Sequence, residues 1–230
     1  MLLEKYLFDV VFIFEWLAFL FSFFNLKARI APKSTRMFPL ILGLILIGES
    51  IACLLANHRL SNGIVYNSLF FIWLPGYMAI FYGALTSKIR KRWVLSFLVV
   101  FLSVGLVNFL VTDHTVWIAH RTFIMGGLFI SVSSVLSLWE ISNFPQRLVL
   151  KNHPMFWISF SMLVYFFPVS ILLCGFEYFK FQDIPMTEAY GNTFRSAHTI
   201  LNVIHYSMLS YGFICIFIFP QKQETIKVAL

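Results

Sequence analysis

The chain has 230 residues, 60% of them hydrophobic and only 12% charged, with a mean hydropathy of +0.83. Soluble domains carry about 45–50% apolar and about 25% charged residues, so a soluble globular domain is excluded and an integral membrane protein is expected. The formal charge of +7 does not point to nucleic acid, because the basic residues fall in short bursts between apolar runs, where orientation signals of membrane helices belong.

Seven apolar segments follow in chain order, each long enough to cross a hydrocarbon core of about 30 Å. They predict an all-α integral membrane protein, a single domain over 1–230 with seven transmembrane helices. The first, 6–26, carries Asp9 and Glu15. Glu4 and Lys5 precede it, and no small-residue cleavage pattern follows, so it reads as a retained helix and not a removed signal peptide. The second, 37–56, carries Glu49, and the third, 63–85, contains a Pro75-Gly76 pair predicted to kink it. The fourth spans 93–112 and the fifth 116–139. The sixth spans 155–176 with Pro168 inside, and the seventh 193–219. Cys53, Cys174 and Cys215 lie within these segments and read as small buried hydrophobes.

The connections predict the orientation. Lys27, Arg29, Lys33 and Arg36 lie between the first two segments, and Lys88, Arg90, Lys91 and Arg92 between the third and fourth. Arg147, Lys151, Lys222 and Lys227 complete twelve of the 17 basic residues on one side. Lys5, Arg59, Arg121, Lys180 and Arg195 fall on the other. Basic residues mark the cytoplasmic face, so the N-terminus is expected outside and the C-terminus in the cytoplasm. The longest external connection is expected from Glu177 to Asn192, too short for a soluble domain.

Ionisable residues inside a span are costly and mark function by default. At about 1.5 Å per residue, Glu15 falls roughly 15 Å and Glu49 roughly 10–12 Å below the outer surface. His120 and Arg121 lie near the outer start of the fifth segment, with Arg121 expected to snorkel to the interface. On the seventh, His198, Asn202 and His205 are spaced i, i+4 and i+7, which confines them to one stripe. Asn67 and Asn108 also fall in outer halves, whereas the inner halves hold only hydroxyls such as Ser131, Ser133, Ser134, Ser137, Ser159 and Ser161. The expected site is a polar pocket opening outward between the first, second, fifth and seventh helices. Its ligand-binding residues are Glu15, Glu49, His120, His198, Asn202 and His205. Such side chains also bond helices together, which is the plainer reading of each one singly. The aromatics, Trp73, Trp117, Trp139 and Trp157 among them, read as interfacial or packing residues.

His120, His198, His205 and Glu49 have the chemistry of zinc ligands. However, His205 lies about 10 Å along its helix from His198, too far to share an ion easily, and no metal or cofactor is expected. No GxGxxG, P-loop, CxxC pair or HExxH occurs in the chain, and no catalytic residue is assigned, which argues against an enzyme.

Two runs carry a resemblance. Asn152-His153-Pro154-Met155-Phe156-Trp157-Ile158 continues to Leu163-Val164-Tyr165-Phe166, and the seventh segment holds Ala197-His198-Thr199-Ile200-Leu201-Asn202-Val203-Ile204. Both resemble an uncharacterised family of seven-helix bacterial proteins, chiefly of the Bacteroidota, that often accompany sensor kinases. More loosely, the layout is similar to the membrane-embedded sensory modules at the front of some histidine kinases. The resemblance implies a bacterial inner-membrane protein with a receptor-like or sensory role, and names no ligand. Its partners would be membrane lipids, a small ligand or proton, and a cytoplasmic or membrane signalling protein. Microbial rhodopsins carry a retinal-binding Lys in their last helix, and this chain has none between Thr193 and Phe219. A small transporter using Glu15, Glu49 and His205 is the alternative. A membrane metallohydrolase and a structural subunit are the further ones; the paired histidines of alkaline ceramidase-like hydrolases, four residues apart, are not matched by His198 and His205.

Overall fold

A computed structural model describes residues 2–27, 32–111, 119–143, 150–182 and 187–218, side chains at 2–9, 27 and 151 excepted. Arg29, Trp117, Arg147, Lys222 and Lys227 lie outside the described residues, as do the segment ends expected at Thr112, Val116 and Phe219. The side chains of Glu4, Lys5, Asp9, Lys27 and Lys151 do so too.

Every element among the described residues is helical. In chain order they are α1 (Leu2–Ser22), α2 (Phe24–Lys27), α3 (Phe38–Asn57), α4 (Gly63–Ala84), α5 (Lys88–Val111), α6 (His120–Ser142), α7 (Pro154–Phe181) and α8 (Glu188–Ile218). Single turns of 3-10 helix at Lys33–Met37 and Leu150–Asn152 lead into α3 and towards α7. Six helices are long and apolar enough to cross a membrane, and Val10–Leu26 forms a shorter apolar helix. A helix satisfies its own backbone hydrogen bonds, which hydrocarbon demands of any spanning segment.

Two expected connections shorten, for one reason. α5 begins at Lys88, so Lys88, Arg90, Lys91 and Arg92 occupy its first turns and not a connection. α7 runs on to Phe181 and α8 starts at Glu188, so most of the expected 177–192 connection is helical. Long polar side chains are good helix formers and bury their stems while their heads reach water. A helix therefore continues beyond the apolar stretch that announces it.

The local sequence explains several ends. Pro39 sits in the first turn of α3, and Pro154 opens α7 after an extended His153; a proline there costs no helical hydrogen bond. The His153 ring is mostly covered, and its burial pushes the imidazole below its ordinary range. Pro75 and Pro168 lie inside α4 and α7, where each removes one hydrogen bond from the ladder. α1 and α2 are separated by a turn at Phe23, where Ser22 and Asn25, both fully buried, turn their side chains back onto local carbonyls.

The helices close a ring. α1 packs on α3, α3 on α4, α4 on α6, α6 on α7, α7 on α8, and α8 returns to α1. α5 stands outside this ring against α4 and α6, and its outer side presents Leu95, Val99, Leu102, Leu106 and Leu110. The helices alternate in direction. The end where α1, α4, α6 and α8 begin is called upper below.

Small residues set the spacing. A Cβ on Gly76 would meet Ile41 Cδ1 at 2.7 Å, which draws α3 and α4 together. On Gly126 it would meet Leu74 Cδ1 at 2.7 Å and Phe101 Cε2 at 2.9 Å, at the junction of α4, α5 and α6. Membrane helices approach closely through such residues, since lipid gives no hydrophobic drive between them. Serines finish the α6–α7 seam: Ser131, Ser133 and Ser134 donate to carbonyls one turn back, and Ser159 reaches Ser137 Oγ at 2.9 Å. Of the cysteines only Cys215 is buried; Cys53 is half-buried and Cys174 exposed on the bundle surface. A small thiol costs little on a surface that lipid covers, which is why the expectation of burial fails there.

Replacing Gly126 with Val should destabilise the bundle by about 1–3 kcal/mol through overpacking, read as a lower thermal midpoint in detergent. Leu110→Ala on the outer side of α5 should leave it nearly unchanged. Equal effects of the two substitutions would contradict this packing.

Candidate functional site

A cavity of ≈ 500 Å³ opens within the upper half of the ring. Glu15, Glu49, His120, His198, Asn202 and His205 all line it. It is walled by α1, α3, α4, α6, α7 and α8, so α4 and α7 join the four helices expected from sequence. α5 contributes no wall residue.

The α8 stripe is the organised side. Asn202 Nδ2 donates to the His198 carbonyl at 3.1 Å, one turn above it. The Tyr165 hydroxyl of α7 lies 3.2 Å from His198 Nε2, and Phe194 stacks on the His198 ring at 5.7 Å and 11°. Deeper, Tyr165 stacks on His205 at 4.9 Å and 26°. Ser161 Oγ donates to the His205 carbonyl at 2.9 Å and lies 2.7 Å from His205 Nδ1. Nδ1 also lies 3.2 Å from the Ser161 carbonyl, which can only accept, so Nδ1 carries the proton and Nε2 is the ring's acceptor.

The carboxyl groups form the opposite side. Glu15 is buried on α1 and Glu49 half-buried on α3, close enough for their charges to interact. The Tyr66 hydroxyl donates to Glu49 Oε2 at 2.9 Å. The Tyr206 hydroxyl lies near the Glu15 carboxyl. Tyr77 and Tyr165 lie near enough to feel the carboxyl charge. Sequence reasoning missed these four tyrosines. They are scattered among 28 Phe, and the only local signal was a hydroxyl where neighbouring aromatics have none.

His120 belongs to the rim. Its Nδ1 lies 3.8 Å from Glu177 Oε1, while Arg121 Nε donates to Glu177 Oε2 at 2.6 Å. The Arg121 side chain is 68% exposed, as a snorkelling residue should be. Arg195, exposed, also borders the cavity. Asn67 and Asn108 prove to be ties between helices. Asn67 Oδ1 accepts from the Ala119 N–H at 2.7 Å, and Asn108 Nδ2 donates to Thr122 Oγ1 at 2.7 Å. Trp73 packs in the cavity wall, Trp157 against Tyr211 at 4.9 Å, and Trp139 stands exposed.

Below the cavity the bundle is solid. Phe38 packs under Tyr77 at 6.1 Å and against Phe213 at 5.0 Å. Phe81, Ile130, Ile158 and Met162 beside them are almost completely buried. At the lower end a second carboxylate cluster appears, which sequence reasoning missed. Glu140 accepts from the backbone and hydroxyl of Thr86 and from Arg90 Nη1 at 2.9 Å. Arg90 also sits over the Trp139 ring at 5.6 Å. The cluster fastens the α4–α5 turn to the end of α6.

Among the described residues no three His, Cys, Asp or Glu side chains gather closely enough to hold a metal ion. No family model, no curated protein and no solved structure matches the chain.

Ser161→Ala would remove both contacts of this hydroxyl, to the His205 carbonyl and to Nδ1, leaving Nδ1–H the Ser161 carbonyl alone. It should cost about 1–3 kcal/mol, measured by thermal denaturation in detergent. Ser207→Ala, whose hydroxyl bonds only the Val203 carbonyl one turn back, is the control and should cost well under half as much. Matching losses would mean that the Ser161–His205 pair holds nothing special.

Proposed function

We propose that the chain is a receptor-like, sensory membrane protein that binds a small ligand in this cavity and signals through a partner. In this reading the shorter apolar helix of α1 also spans, making seven, with the upper end outside and the C-terminus in the cytoplasm. The bias of twelve basic residues to one side supports that orientation. The membrane would be the inner membrane of a bacterium, as the resemblance of the 152–166 and 197–204 runs implies.

The observation that carries the reading is a polar cavity that ends blindly above a packed aromatic floor. A site closed at one side suits binding and release to the same side. A carrier would in addition have to part the Phe38–Tyr77–Phe213 packing to reach the other side. Occupancy would favour one of two arrangements of the wall helices, and α4 and α7, each weakened by an internal proline, are the ones suited to change. The α4–α5 turn at the lower end, tied to α6 through Glu140, would pass the change to the partner.

Two measurements test this. In a cysteine-free background, Ser61→Cys should react with a membrane-impermeant maleimide in intact cells and Ser87→Cys only after lysis; the reverse pattern would overturn the orientation. Native mass spectrometry of protein taken gently from its own membrane should show a copurifying small molecule, lost when Asn202→Trp fills the cavity. A wild-type spectrum free of bound molecules, identical to that of the filled variant, would overturn the binding-site reading.

A further inference from the structure

The carboxyl groups of the chain are not treated alike. Glu140 has Arg90, and Glu177 has Arg121 and His120. Glu15 and Glu49, the two that face the cavity, have no basic partner among the described residues; the Tyr66 hydroxyl donates to Glu49, and the Tyr206 hydroxyl lies near Glu15. The imidazoles across the cavity are engaged elsewhere, His205 with Ser161 and His198 with Tyr165 and Asn202. Arg195 lies on the exposed rim.

Two covered carboxylates whose charges interact repel each other, and a cation placed against them favours the charged form of both. The cavity they line is ≈ 500 Å³, far more than a bare ion or a water needs. Aromatic rings supply much of the remaining wall, with Ile45, Leu69, Val169 and Leu173 among them. Tyr66, Phe70, Trp73, Tyr77 and Tyr165 surround the carboxyl side, with Trp73 set edge-on to Tyr77 at 5.7 Å and to Phe70 at 6.0 Å. Aromatic rings arranged around an anionic centre attract alkylammonium groups through the ring quadrupole, Trp most strongly. A hydrated metal ion would leave the apolar wall unused, and an organic anion would meet the carboxylates.

We propose that the cavity takes a small organic cation, an amine or quaternary ammonium compound, with its charge against Glu15 and Glu49 and its apolar body on the Tyr- and Trp-lined wall. This rests on the binding-site reading above and names the ligand class for it. Glu15 and Glu49 supply the counter-charge, the rings supply selectivity for an organic over an inorganic cation, and Asn202 and His205 are placed to bond a polar group at the far end.

The test uses matched probes on the purified full chain in nanodiscs, by titration calorimetry. Choline is compared with its neutral isostere 3,3-dimethyl-1-butanol, and phenethylammonium with 2-phenylethanol. At least one cation should bind saturably and about tenfold more tightly than its isostere. In Glu15→Gln and Glu49→Gln, with melting curves showing an intact fold, that preference should disappear. The wild-type comparison needs no variant, so a Gln substitution that fails to fold leaves the idea exposed to refutation. Neutral isosteres binding as tightly as the cations would overturn the cation assignment while sparing the binding site. Unaltered cation affinity in both Gln variants would do the same. If neither cation binds, the assignment falls, and the native mass spectrum decides the binding-site reading separately.

Discussion

Hydrocarbon offers no partner to a polar group, and a spanning chain must answer that in every residue. Backbone groups answer by forming helices. Side chains cannot, so each polar one must find another helix or a shared interior, and the ring of α1, α3, α4, α6, α7 and α8 is the arrangement that supplies both. Serines and asparagines tie adjacent helices at close range. The larger and ionisable groups meet around a hollow, bonded there to tyrosine and serine hydroxyls of other helices. The cavity is thus where the polar residues that cannot be absorbed into the seams are gathered.

The placement of charge along the bundle follows the same logic. At both ends, carboxylates pair with arginines whose stems lie along the helix and whose heads reach outward. Such pairs fasten helix ends and are ordinary architecture. Glu15 and Glu49 are not paired in that way: among the described residues neither forms an ion pair with Lys or Arg. Tyrosine takes the place of arginine there: a hydroxyl meets the carboxyl, while the ring meets the apolar wall. That substitution explains why the cavity is at once polar and aromatic.

Much of this architecture was legible from the sequence, and the illegible parts share a cause. Hydropathy runs located the helices, and the spacing of His198, Asn202 and His205 assigned one face of α8 because a helical period needs only three residues to show itself. The depths of Glu15 and Glu49 put them at one level because the rise per residue is fixed. α4 contains no Asp, Glu, Lys, Arg or His, and α7 has none before Glu177, so nothing in either marked it as a cavity wall. Tyr66, Tyr77, Tyr165 and Tyr206 looked like packing residues in a chain rich in Phe. Glu140 stood at the end of an apolar run, where a charge reads as a boundary; its partners Arg90 and Thr86 lie 50 and 54 positions earlier, and no local pattern connects them.

The closure of α8 onto α1 carries a consequence for biosynthesis. Ribosomes deliver helices in order, so for most of synthesis the ring is an open crescent. Glu15, already in the membrane, then waits for Tyr206, which is added some 190 positions later. During that interval a carboxyl group faces lipid, or whatever insertion factor shields the open seam. A chain interrupted before α8 is therefore a different object from a shortened bundle: an open crescent of helices with an exposed acidic groove, the kind of surface that membrane quality control recognises and removes.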